Sequence, residues 1–232
     1  MVKKIVGTGV LLVLALALQA GVKMYTLKSP DGKVKLEVTA GQGIAYSLFY
    51  DGRLLLKPSR IALHTDLPEA DHWENIRITG TKQRHVSETV QAPFYRVKEF
   101  GIDCNELELR LNNGFSLLMR AYNDGMAYRF VAGRKGEMTV VEERAEFNFA
   151  DDFEAYIPYS TNPKDPWNMA FQNFYTKAPL TQYNTELPAF LPLTVDVGAV
   201  KLTLLESDLE AYPGMFVCGD GKTPALKGVF AA

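Results

Sequence analysis

The clearest signal along the chain is an alternation of apolar and polar positions, first seen where Val34, Leu36 and Val38 alternate with Lys33, Lys35, Glu37 and Thr39. Successive side chains of a strand point to opposite faces, so this period of two predicts a strand with one buried and one wet face. Further strands are predicted over residues 44–50, 107–111, 115–122, 126–131, 193–197 and 200–205. Asp31-Gly32, Asp51-Gly52, Asn112-Asn113-Gly114, Asn123-Asp124-Gly125 and Gly219-Asp220-Gly221 punctuate these runs. Such residues tolerate positive φ and suit tight connections. No amphipathic helix of ordinary length interrupts the pattern. Strands without intervening helices favour an all-β, antiparallel sandwich over a doubly wound parallel sheet.

One stretch breaks the alternation. Residues 162–192 mix Pro163, Pro166, Pro179, Pro188 and Pro192 with Trp167, Phe171, Phe174, Tyr175, Tyr183 and Phe190. Proline cannot donate to a ladder, so a long ordered loop is expected there. Its aromatic rings could form a platform for sugars or a partner surface, but packing of the loop onto its own sandwich is the favoured reading.

Composition narrows the class. A chain of 232 residues, 47% hydrophobic and 22% charged, is large enough to bury the core of one large sandwich. With 25 Lys and Arg against 27 Asp and Glu and no basic block, nucleic acid is excluded as an expected partner. The start reads differently: Lys3 and Lys4 precede an apolar stretch over residues 5–18, with Ala15, Ala17 and Ala20 at its end. This is the pattern of a signal peptide over residues 1–20, and Gly7, Thr8 and Gly9 weaken the stretch as an anchor. Export to the periplasm or the extracellular space is therefore expected. Export permits a disulfide between Cys104 and Cys218. Burial of both as small apolar residues is the alternative, and it is favoured because free Cys is so often core.

A self-contained active site is harder to find. There is no Gly-x-Ser-x-Gly elbow, and Gly219-Asp220-Gly221-Lys222-Thr223 imitates a phosphate-binding loop only at its end, because Phe216 stands where the first glycine is required. His64, His72 and His85 match no metal spacing. A sugar-epimerising sandwich would use a His with a carboxylate for proton transfer, although structural or surface roles are favoured for all three. More specific is the segment over residues 204–214. Ser207 and Glu210 form a Ser-x-x-Glu capping box, which predicts a single helical turn stopped by Pro213-Gly214. Glu206 is left at the rim, placed to contribute one ligand to a hard cation that needs roughly six to eight oxygens. On spacing alone, an exposed surface glutamate is the favoured reading.

Four stretches together carry a resemblance. They are Ser29-Pro30-Asp31-Gly32, Tyr122-Asn123-Asp124-Gly125-Met126-Ala127-Tyr128-Arg129-Phe130, Glu206-Ser207-Asp208-Leu209-Glu210-Ala211-Tyr212-Pro213-Gly214, and Leu226-Lys227-Gly228-Val229-Phe230. Residues 25–232 resemble the N-terminal domain of glycoside hydrolase family 97. The resemblance implies a galactose-mutarotase-like β-super-sandwich in an exported enzyme that cleaves α-glucosides or α-galactosides, packed on a (β/α)₈ barrel that holds the catalytic carboxylates. It further implies calcium as the cofactor, with Glu206 as the one metal ligand supplied by the sandwich and no catalytic residue assigned within this chain. An acidic residue would be expected where Gln172 stands, and the final strand would be expected to run on past Ala232, so the module ends before its architecture is complete. A free-standing carbohydrate-binding or sugar-epimerising sandwich is the alternative function.

Overall fold

The computed structural model describes residues 23–231 apart from 72, 169, 170, 208 and 211. The expected signal peptide and His72 lie outside the described residues. Strands are numbered β1 to β15 along the chain and form three antiparallel sheets. The largest has the order β1 (Lys23–Lys28), β2 (Val34–Gly41), β3 (Gly43–Tyr50), β4 (Arg53–Thr65), β9 (Val140–Asn148), β15 (Ala225–Phe230), β14 (Met215–Gly219). A second runs β5 (Ile78–Gln91), β6 (Glu99–Leu111), β7 (Phe115–Tyr122), β8 (Gly125–Ala132), and its β6 and β7 lie against β1 and β2. The third runs β11 (Thr176–Pro179), β10 (Glu154–Ile157), β12 (Leu193–Asp196), β13 (Lys201–Leu204). Among the described residues no helix is long and apolar enough to cross a membrane.

The predicted alternation is what builds the core. Val34, Leu36, Val38 and Ala40 of β2 are buried, and so are Phe115, Leu117, Met119 and Ala121 of β7. A single apolar cluster joins these to Ile61, Phe147, Ile157 and Val195, and so ties all three sheets together. The turns follow their sequences. Asp51 and Gly52 both have positive φ (48° and 79°) between the paired Tyr50 and Arg53, as a two-residue hairpin with right-handed strand twist requires. The Asp31 N–H donates to Asn123 Oδ1 at 3.0 Å, which brings the Ser-Pro-Asp-Gly and Asn-Asp-Gly turns together at one end of the sandwich.

Three long strands were not expected from the alternation. β4 is interrupted by Lys57, Pro58 and Arg60, β5 is polar on both faces from Thr81 to His85, and β9 begins Val-Val-Glu-Glu-Arg. The expected loop over residues 162–192 is also partly regular: β11 pairs with β10, and Ala189 bridges Tyr159 and Val217. Its aromatics divide: Tyr183 and Phe190 are buried and Trp167 partly so, while Phe171, Phe174 and Tyr175 are exposed. Tyr183 stacks edge-on against Tyr159 at 5.0 Å, Trp167 against Phe216 at 4.8 Å and Phe171 against Phe190 at 5.5 Å. Cys104 is buried and Cys218 partly so, and both are free thiols.

Two features make this packing testable. A Cβ on Gly219 would lie 2.7 Å from the Tyr183 ring, whose hydroxyl donates to the Val217 carbonyl at 2.7 Å. Gly219→Ala should therefore destabilise the fold by about 1–3 kcal/mol in urea unfolding, whereas Gly101→Ala, with no atom within 4 Å of the added methyl, should be close to neutral. Glu106 is buried between Arg84 Nε at 2.6 Å and Arg120 Nε at 2.8 Å. Burial works to raise its pKa, and the two arginines outweigh it and hold the carboxyl below its usual range. A depressed folded pKa gives stability that is present above the unfolded value, near about 4.3, and is lost as pH falls through the folded one. Glu106→Gln should cost about 2 kcal/mol at neutral pH, with the gap to the parent closing in acid denaturation.

Candidate functional site

Glu206 lies just beyond the end of β13, and both of its carboxylate oxygens accept from the Met215 N–H that opens β14, at 2.8 and 2.9 Å. The Pro-Gly that precedes Met215 has a local reason. A Cβ on Gly214 would stand 3.3 Å from Glu206 Oε1, tighter than an ordinary contact, so glycine leaves the carboxylate room to reach the amide. The helical turn expected after Ser207 runs through residues 208 and 211 and so lies partly outside the described residues; beyond it the Tyr212 N–H donates to the Leu209 carbonyl at 3.2 Å. Two anchors fix the ends of the segment, Glu206 on Met215 and Tyr212 on the neighbouring sheet.

Tyr212 leads to a residue the sequence did not single out. Its hydroxyl donates to Glu143 Oε2 at 2.7 Å, and its ring meets Phe230 edge-on at 5.9 Å. Glu143 sits near the start of β9 at the spacing of two from Ala145 and Phe147, both buried, so its carboxylate points to the core side of the strand. The only sequence signal for it is membership of a strand whose first half is too polar to read as one.

The electrostatics of the pair follow from this placement. Burial raises the Glu143 pKa, the Tyr212 hydroxyl opposes it, and the negative charge of Glu206 adds to the rise. Burial likewise raises Glu206, against the Met215 amide. Tyr128 of β8, whose ring lies 5.9 Å from that of Tyr46, is held protonated first by burial and then by Tyr46, Glu143 and Tyr212. The site thus gathers two carboxylates and two phenols where ionisation is disfavoured, a place where added positive charge would be stabilised.

The residues present fit a hard cation in part. Each carboxylate oxygen has two acceptor positions, and one shared amide donor leaves Glu206 with lone pairs to spare. Among the described residues no group of three or more His, Cys, Asp or Glu could hold a metal ion, so Glu206 and Glu143 would be a fraction of the oxygens calcium takes.

The two described histidines, His64 and His85, are elsewhere. His64 Nδ1 contacts Asp71 at 2.6 Å, and His85 Nε2 contacts Asp103 at 3.1 Å, on different sheets. Two depressions of about 200 and 270 Å³ are lined by residues such as Gly41, Pro58 and Arg60, and Tyr25, Thr81 and Gln83, with no histidine or carboxylate in either lining. The structure therefore does not gather a His–carboxylate pair into these concavities.

Comparison with known proteins agrees with this architecture. Residues 27–231 match the family described as glycosyl-hydrolase 97 N-terminal. The chain is 39% identical over 223 residues to a retaining alpha-galactosidase of Bacteroides thetaiotaomicron, covering 93% of this chain and 33% of that protein. It is 26% identical over 158 residues to a probable retaining alpha-galactosidase of Streptomyces bingchenggensis, covering 66% and 24%. It therefore spans about a third or less of the curated relatives it matches. A glycoside hydrolase family 97 enzyme from Pseudoalteromonas sp. strain K8, solved with panose, shares the fold with a TM-score of 0.73 at 18% identity over 89% of this chain and 32% of that one. A beta-arabinopyranosidase does so with a TM-score of 0.76 at 20% identity, covering 90% and 35%. With its sheets, its rim segment and nearly all of its described length matched, the chain belongs to the glycosyl-hydrolase 97 N-terminal family.

Proposed function

We propose that this chain is the N-terminal sandwich of an exported α-glycosidase acting on α-galactosides, and that Glu206 is its contribution to a calcium ion shared with a catalytic (β/α)₈ barrel. The observation that carries the metal reading is the Glu206 carboxylate itself. It is fixed by the Met215 amide at 2.8 and 2.9 Å, its lone pairs are only partly used, and Glu143 beside it adds negative charge without completing a cation site. The substrate class rests on the relatives, both named as alpha-galactosidases. Residues 1–20 carry the charged, apolar and small-residue pattern of an export signal.

Within this reading the chain's residues position and do not react. Gly214 lets Glu206 reach Met215, and Tyr212 holds Glu143 at the rim, so the carboxylates present a preformed oxygen face to the barrel. Calcium, when bound, supplies fixed positive charge and a template for oxygen ligands. The carboxylates that protonate and attack the glycosidic bond belong to the barrel.

Calorimetric titration of the full-length protein tests the assignment. Glu206→Gln should weaken calcium binding by roughly tenfold or more, and an unchanged affinity would remove Glu206 from the site. The calcium-free chain gives a second test. Both carboxylates have folded pKa values above their unfolded ones, so their stabilising contribution is present below about pH 4.3 and is lost as pH rises through the folded values. Glu143→Gln keeps an acceptor for Tyr212 and removes the charge. It should raise stability at neutral pH by about 1 kcal/mol, with no gain in acid, as read from thermal unfolding at several pH values.

A further inference from the structure

Among the described residues the second sheet ends on β5, which pairs with β6 alone and has no strand on its other edge; Gln83 Nε2 donates to the Thr26 carbonyl of β1 at 3.0 Å. Long open edges are templates for another strand, and proteins usually blunt them with charged side chains, bulges or prolines, so a charged edge accepts only a partner whose charges complement its own. β5 has a register irregularity only at its start, between Ile78 and Gly80, and residues 81–91 are exposed except for Val86. Its charges are of both signs and are ordered. Counting outward from Val86, Arg84 stands two residues before it and Glu88 two residues after it.

That order is self-complementary. A two-fold axis perpendicular to the sheet at Val86 would set two copies of β5 antiparallel, with Arg84 opposite the partner's Glu88 and Glu88 opposite the partner's Arg84. Gln83 would face the partner's Thr89, His85 the partner's Ser87, and Lys82 the partner's Val90. Directly opposed residues share a face of the sheet, where opposite charges attract and like charges repel. An axis at Ser87 leaves no opposite-charge match, whereas one at His85 exchanges the Arg84–Glu88 match for Lys82 opposite the partner's Glu88 and sets the two histidines against each other. Arg84 spends its Nε on Glu106 at 2.6 Å and keeps further guanidinium donors for a second carboxylate.

The same register gives a place to the most exposed apolar group of the protein. β7 pairs with β6 only as far as Cys104, opposite Tyr122, so the outer parts of β5 and β6 project as a two-stranded arm. Phe94 at its tip is fully exposed, Tyr95 is 62% exposed and Phe100 40%. At ~200 Å² per ring these present roughly 400 Å², the size of the largest apolar patch on a typical monomer. With the axis at Val86, the arm carries Phe94 to the level of the partner's Ile78, beyond the end of the ladder.

We propose that β5 is a homodimerisation strand, and that two copies of this chain join edge to edge about Val86 into one continuous eight-stranded sheet, each arm tip packing on the partner. The proposal is independent of the metal reading, since Glu143 lies on β9 and Glu206 follows β13, both in other sheets.

Sedimentation of the chain should give twice the monomer mass. Opposed residues in an antiparallel ladder have Cα atoms roughly 4.5–5.5 Å apart, within disulfide range. The double variant Gln83→Cys/Thr89→Cys should therefore oxidise to a covalent dimer, while Gln83→Cys/Ser87→Cys, which suits the neighbouring register, should not. Glu88→Arg, which leaves the Arg84–Glu106 pair in place, should weaken dimerisation by roughly tenfold or more. A chain that sediments as a monomer at all concentrations, or a dimer that neither cross-links through residues 83 and 89 nor responds to Glu88→Arg, would overturn it.

Discussion

The two-sided pairing of β9 is the constraint on which the rest of the structure depends. It pairs with β4 from Ile61 to Thr65 on one side and with β15 from Ala225 to Lys227 on the other, and so closes a seven-stranded sheet from the two ends of the chain. Without it β1–β4 would be a separate four-stranded unit and β14–β15 an isolated hairpin, which is marginally stable at best. Ala145 and Phe147 press into the common core. On the opposite face Glu146 accepts from the Arg60 amide at 3.1 Å and from Arg144 Nε at 2.7 Å. Apolar burial on one face and an ordered charge network on the other fix the register, because a slip of one residue would exchange the two.

That register creates the candidate site. The core-facing row of β9 runs through Phe147 and Ala145 to Glu143, where the sandwich ends and a carboxylate takes the place of an apolar side chain. β15 and β14, aligned on β9, bring Met215 to the same rim, and Met215 fixes Glu206. Two carboxylates from distant parts of the sequence are thus held close enough for the charge of one to disfavour ionisation of the other. This arrangement keeps a local shortage of positive charge at a fixed position, on which the proposed calcium ligation by Glu206 would draw.

How much of this can be read from the sequence depends on how each element meets solvent. β2 and β7 are legible because one face is fully buried and the other wet, which imposes the period of two. β5 is an edge strand, polar on both faces, and β9 starts at a rim, so neither shows the alternation over its full length. The expected packing of the aromatics of residues 162–192 onto the sandwich holds for Tyr183 and Phe190 and not for Phe171, Phe174 and Tyr175. The ladder of β11 was not legible because Pro179 stands only at the strand's last residue. Glu206 was legible only through its motif; the contacts with Met215 and Gly214 now give that motif a physical cause. Glu143 was hidden with its strand, and a Tyr212–Glu143 hydrogen bond across the fold leaves no trace in local sequence.

The central claim is that Glu143 and Glu206 form a coupled pair of carboxylates short of positive charge. Following their side-chain carboxyl resonances by carbon NMR against pH, in calcium-free protein, tests it most directly. The account predicts that both titrate above the ordinary glutamate value of about 4.3, and that the Glu143 midpoint falls when Glu206 is replaced by Gln. Midpoints at or below the ordinary value, with Glu143 indifferent to the change at Glu206, would contradict it.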